Sequence, residues 1–118
     1  MARKAVDGIT IAINLMYCYG TNEINIETLL NFYCYLYERL IELGVAYKYT
    51  VCFEINDNTL ERLANYYSDI IEYDKDNEQY RLCYSVDLEL VVTKYKVDGT
   101  FKKIMKEFTL ERVAAWVV

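Results

Sequence analysis

The stretch Ile9-Thr10-Ile11-Ala12-Ile13-Asn14-Leu15 decides the fold, because it supports two readings with different architectures. Its apolar side chains hold the odd positions, and the alternation runs on to Tyr17 and Tyr19. A period of two, with β-branched residues at the apolar places, marks a half-buried strand. Ala5, Ile9, Ile13 and Met16 also share one face of a helix, which is the competing reading. The alternation is the stronger signal, so residues 9–19 are predicted to form a strand.

Downstream the period changes. Ile26, Leu29, Leu30, Tyr33, Leu36, Tyr37, Leu40 and Leu43 recur at helical spacing, with Glu27, Asn31, Glu38 and Glu42 on the other side. Asn25 suits an N-cap and Gly44 a left-handed stop, so a helix is predicted over 26–43. Tyr35 falls away from the apolar stripe that holds Tyr33 and Tyr37. Tyr47, Tyr49, Val51, Phe53 and Ile55 then alternate with a largely polar set and predict a strand with Tyr47 and Tyr49 facing the core. Asn58 and Glu61 resemble a capping box ahead of a short helix over 59–68.

Ile70-Ile71-Glu72-Tyr73 reads as a strand and Asp74-Lys75-Asp76-Asn77-Glu78 as a polar hairpin loop. Leu82, Tyr84, Val86, Leu88, Leu90 and Val92 share one parity and predict a long strand that bends near Ser85 or continues to Val97. After the turn signal Asp98-Gly99, Phe101, Ile104, Met105 and Phe108 predict a helix to about residue 116, with a hairpin strand over 100–105 as the alternative. Val6-Asp7-Gly8 and Val97-Asp98-Gly99 recur but are too short to be a repeat. Strands with polar faces argue against a buried parallel sheet. The expected fold is therefore α+β: one domain over 1–118, a two-layer sandwich with a mostly antiparallel sheet and helices on one face.

At 118 residues and 54% hydrophobic, the chain can bury a core and is too apolar to be disordered. No apolar run approaches the roughly 18 residues of a membrane span. Cysteines 18, 34, 52 and 83 form no Cys-x-x-Cys pair, and Asp7-Gly8 interrupts any secretory pattern near the N-terminus. Reduced thiols in the cytoplasm, of a cell or an infected host cell, are expected. Trp116 gives the C-terminus an apolar end that docks in the core or on a second subunit.

Histidine is absent, which removes the commonest general base and every Ser-His or Cys-His nucleophile system. An EF-hand reading from Asp74 fails, because Gln79 stands at the glycine place and Ser85 at the bidentate glutamate place. Asp87, Glu89 and Lys94 suggest a nuclease pattern, but Val91 occupies the position that needs lysine. No Gly-rich phosphate loop is present. No metal, cofactor or catalytic residue is expected.

The net charge of −5 is unevenly divided. Residues 21–93 carry −9, whereas residues 94–118 carry +3 through Lys94, Lys96, Lys102, Lys103 and Lys106 together with Arg112. Such local potentials steer partners more than the total does. The leading expectation is a non-enzymatic acidic binding protein that occupies the surface of a basic protein partner. Glu38 and Glu42, or Glu72, Asp74, Asp76 and Glu78 around the hairpin, would meet its Arg and Lys side chains. Tyrosine is the commonest residue, at 13, and the excess of Asn, Ile, Lys and Tyr fits a GC-poor genome. By analogy of size and charge alone, small acidic proteins of phages and mobile elements inhibit nucleic-acid-binding machinery, CRISPR effectors included. A second class is a nucleic-acid-binding accessory protein using the five lysines, with Tyr95 as a stacking surface. A third is a small-molecule enzyme using carboxylate and tyrosine chemistry. A homodimer is compatible with each, and a membrane association is not expected.

Overall fold

The stretch that decides the fold is a helix. In the computed structural model, which describes residues 3–52 and 57–117 and the side chains of these up to Glu111 except Cys52 and Asp57, α1 spans Gly8–Tyr19. Ile9, Ile11, Ala12, Ile13, Leu15 and Met16 are all fully buried on it. A helix enclosed over most of its length, here from Gly8 to Met16, has no polar face there, so its sequence lacks the 3.6-residue period that would announce it. The apparent alternation came from Thr10, Ala12 and Asn14, whose small or polar side chains are also inside or half-inside. β-branched residues cost a helix at most about 0.7 kcal/mol each. Burying each large side chain contributes about 1.5–3 kcal/mol. Burial wins.

The ends of α1 are set by chemistry that is visible in the chain. Asp7 is the N-cap, accepting from the Thr10 backbone N–H at 2.9 Å. Gly20 closes the helix at φ 69°, a left-handed conformation that favours glycine. The second Val-Asp-Gly does the same work: Asp98 accepts from the Phe101 backbone N–H at 3.1 Å at the start of α5 (Gly99–Val117). Each of these two aspartates takes a tyrosine hydroxyl on its other oxygen. Tyr67 donates to Asp7 at 3.0 Å, and Tyr49 to Asp98 at 2.5 Å. The short recurrence is thus a repeated cap.

The remaining elements are β1 (Lys4–Asp7), β2 (Glu23–Asn25), α2 (Ile26–Glu42), a 3₁₀ turn (Ala46–Lys48), β3 (Tyr49–Cys52), α3 (Asp57–Tyr66), β4 (Ile71–Asp74), β5 (Gln79–Leu82) and α4 (Leu88–Lys94). β1 pairs with β3 in parallel, with Val6 opposite Val51. β2, β5 and β4 form a separate antiparallel sheet in that order. The class is α+β, as expected, with the strands divided between two small sheets rather than gathered in one mostly antiparallel layer. α1 lies against β1, β2, α4 and α5, and so occupies the middle of the core. Among the described residues no helix is long and apolar enough to cross a membrane.

The long strand predicted from Leu82 to Val92 ends at Leu82. Its continuation turns, with Val86 N–H bonded to the Cys83 carbonyl at 3.0 Å, and Asp87 caps α4 through the Glu89 N–H. There Leu88, Val91, Val92 and Tyr95 turn inward at i, i+3, i+4 and i+7, while Leu90 is exposed. The strand predicted over 47–55 begins only at Tyr49, because 46–48 form the 3₁₀ turn, and Tyr47 faces solvent rather than the core. Phe53 and Ile55, like the side chain of Trp116, lie outside the described residues. The helices over 26–43, 59–68 and beyond Gly99 stand near their expected bounds, with Asn25 capping α2 through the Thr28 N–H at 2.7 Å. α3 opens at Asp57, which places Asn58 inside its first turn. Residues 100–105 are helical.

Candidate functional site

The acidic residues singled out from the sequence do not form one surface. Glu72 and Asp74 lie on β4 beside Arg81 of β5, at 3.8 and 3.6 Å. Asn77 donates its side-chain and backbone N–H to Asp74, at 2.7 and 3.2 Å, and holds that carboxyl below its ordinary range. Asp76 and Glu78 occupy the turn, where Glu78 takes a left-handed φ of 48°. The hairpin touches the opening of α2, through Ile26 N–H bonded to the Glu78 carbonyl at 2.8 Å. Glu38 and Glu42 stand toward the other end of α2, about 18 and 24 Å further along its axis at 1.5 Å per residue. Glu72 and Asp74 of the hairpin therefore face a local cation, while the α2 pair belongs to a different region.

That region has an unusual composition. Leu29, Phe32, Leu36 and Leu40 form the buried side of α2. Tyr35 packs on Phe108 of α5, at 5.5 Å between ring centroids, although its position had suggested that it faces away. Tyr37, expected on the inner stripe, is outside. On the outer side Leu30, Tyr37 and Ile41 are 38%, 66% and 52% exposed, with the exposed Cys34 between them. At about 100° per residue these four positions fall within an arc of roughly 60°. Glu27, Asn31, Glu38 and Glu42 occupy the adjoining arc. Glu42 accepts from Arg39 at 2.7 Å, and Arg39 also reaches Glu107 of α5 at 3.3 Å. Glu38 has no ion pair among the described residues. The outer face of α2 is thus split lengthwise into an apolar and an acidic half.

Three of the five predicted lysines come together elsewhere. A cleft of about 670 Å³ opens between α1, α4 and α5. α1 contributes Asn14, Tyr17 and Cys18, and α4 contributes Val92 and Thr93. Lys96 stands at one edge, and α5 supplies Lys102, Met105, Lys106, Thr109 and Leu110. Lys94 and Lys103 are exposed and outside this lining. Tyr95 turns inward, edge-on to Tyr67 at 6.0 Å, and its carbonyl accepts the Asn14 amide at 2.6 Å. The ring exposed at the cleft is that of Tyr17. Burial pushes the Cys18 thiol up, and the Lys106 ammonium partly offsets this.

Asp87, weighed with Glu89 as a carboxylate pair, is engaged as the cap of α4. Among the described residues no three Cys, Asp or Glu side chains are placed to share a metal ion. Compared with models of known families, with curated proteins and with solved structures, the chain matches none. The outer stripe of α2 left a signal in the sequence, since Leu30, Cys34, Tyr37 and Ile41 recur at i, i+4, i+7 and i+11 beside the inner stripe. Two parallel stripes make too wide an apolar arc for one buried face. The cleft left only its lysines as a signal, because its remaining lining joins residues far apart in the chain.

Proposed function

We propose that this is a non-enzymatic binding protein that acts by occupying a macromolecular partner, with α2 as its contact face. The observation that carries this reading is the divided outer side of α2, where large apolar side chains stand exposed beside carboxylates. Exposed aromatic and aliphatic anchors in a polar surround are the composition of protein interfaces. Charge complementarity specifies the partner as an amphipathic segment whose apolar side chains are flanked by Arg or Lys. Leu30, Tyr37 and Ile41 would supply contact area, and Glu38 and Glu42 would fix orientation and speed association. Nucleic-acid-binding proteins carry dense basic surfaces. A protein of this kind covering such a surface would inhibit its function.

Affinity capture comparing the native chain with Tyr37→Lys/Ile41→Lys and Glu38→Lys/Glu42→Lys tests the proposal. One basic protein retained by the native chain and lost from both variants is expected. Equal retention by the variants overturns the assignment to α2. Capture of nucleic acid alone, lost on replacing the cleft lysines, favours the lysine-based class instead.

A further inference from the structure

The lysine-rimmed cleft has a chemistry of its own, and we infer that it binds a small amphipathic anion, an apolar body bearing a carboxylate, phosphate or sulfonate head. The volume of about 670 Å³ is that of a pocket for a drug-sized molecule. Lys96, Lys102 and Lys106 line it and, among the described residues, no Asp or Glu does. None of the three has an ion pair among the described residues, although the whole chain has 18 acidic side chains against 13 basic ones. Lys4 and Lys75, by contrast, pair with Asp98 and Glu61. Lys102 and Lys106 are also like charges at i, i+4 on α5, an arrangement that weakens a helix rather than supporting it. These cations serve no visible structural partner, and together they suit an anion.

The floor selects the rest of the ligand. Asn14 spends its amide on the Thr10 and Tyr95 carbonyls, at 2.8 and 2.6 Å. Thr93 donates its hydroxyl to the Leu90 carbonyl, and Thr109 to that of Met105. With these donors engaged, the floor offers a sugar or other polar body few new donors for the hydrogen bonds it gives up to water. An apolar body loses nothing and gains contact with Met105 and with the rims at Tyr17 and Leu110, which are 51% and 69% exposed. A polar nucleotide therefore fits less well than an aromatic or aliphatic anion.

Titration with the fluorescent sulfonate 8-anilinonaphthalene-1-sulfonate, followed by competition with dodecanoate and with phenyl phosphate, tests the site. Saturable one-site binding is expected, weakened about tenfold in Lys102→Gln/Lys106→Gln and further by salt. Leu110→Glu, at an exposed rim position, should weaken it through repulsion without altering far-ultraviolet circular dichroism. Lys103→Gln and the α2 variant Ile41→Lys should bind as the native chain does. Displacement by dodecanoate identifies a carboxylate head, and displacement by phenyl phosphate a phosphate head. Absence of saturation, native affinity in both cleft variants, or loss confined to Ile41→Lys overturns the inference. The last outcome would leave the proposed role of α2 standing, so the two readings fail separately.

Discussion

α1 and α2 are both helices, rich in large apolar side chains, yet they relate to their sequences in opposite ways. α1 is enclosed by β1, β2, α4 and α5, and eight of its residues are buried. α2 lies at the surface, and its outer side is exposed along its length. Hydrophobic period reports what surrounds an element more than which conformation it adopts. Where surroundings are apolar on all sides the period vanishes, and where only one side is covered it is clear. The same contrast separates their roles: α1 is the scaffold, and the outer side of α2 is available to something else.

The largest effect should come from trimming α1. Ile13→Ala removes a fully buried side chain from the centre of the core and should cost about 2–5 kcal/mol, read as a lower denaturant midpoint with an unchanged slope. If α1 were merely a covering element, the cost would fall to the level of a surface change. A cost below about 1 kcal/mol breaks the comparison at its stronger end.

What the sequence made legible follows from the same physics. α2, α5 and β4 are elements with one wet side, and each was read from its pattern and flanking turn residues. α1 was misread because Thr10 and Asn14 fell on the parity that suited a strand, although they are also one helical turn apart. Its caps Asp7 and Gly20 were visible and would have favoured the helix had end signals been weighed above parity. α4 was lost for a related reason, as Leu88 and Val92 satisfy both the period of two and the i, i+4 spacing. The hairpin was one of two acidic surfaces expected from the sequence, but Arg81 lies beside Glu72 and Asp74 there. Such pairing depends on strand register, which composition does not contain. The five lysines were visible as a cluster, whereas their division into cleft and surface depends on the rotation of α5.

The caps sharpen the comparison at intermediate size. Asp7→Ala removes the α1 cap and the acceptor of the Tyr67 hydroxyl together, and should cost about 2 kcal/mol. Asn25→Ala removes only the exposed cap of α2 and should cost about 1 kcal/mol or less. Equal losses in thermal or urea unfolding would mean that enclosure adds nothing to the Asp7 cap.

Tyr67 extends the same contact into pH. Its burial, and then its hydrogen bond to Asp7, push the phenol from 10.0 up to about 12. A folded value above the unfolded one means that the contribution is complete below pH 10 and is lost as pH rises toward about 12. Tyr67→Phe should therefore lose less stability than the native chain across that interval in urea titrations. Parallel slopes for the two proteins would detach Tyr67 from the α1 cap.

The smallest effect belongs to the outer side of α2. Ile41 is half exposed, so Ile41→Ala sheds little buried area and gains slightly in helix propensity, leaving stability within about 0.5 kcal/mol. The same isoleucine contraction in α1 costs several times more, although both positions lie on helices. A loss at Ile41 near that of Ile13 would mean that this side is covered in solution. Covering by a second copy would make the native chain's stability rise with protein concentration, and Ile41→Ala would abolish the rise. Concentration-independent unfolding in both proteins leaves the apolar half of α2 open to a partner, and makes its side chains costly to lose only when that partner is present.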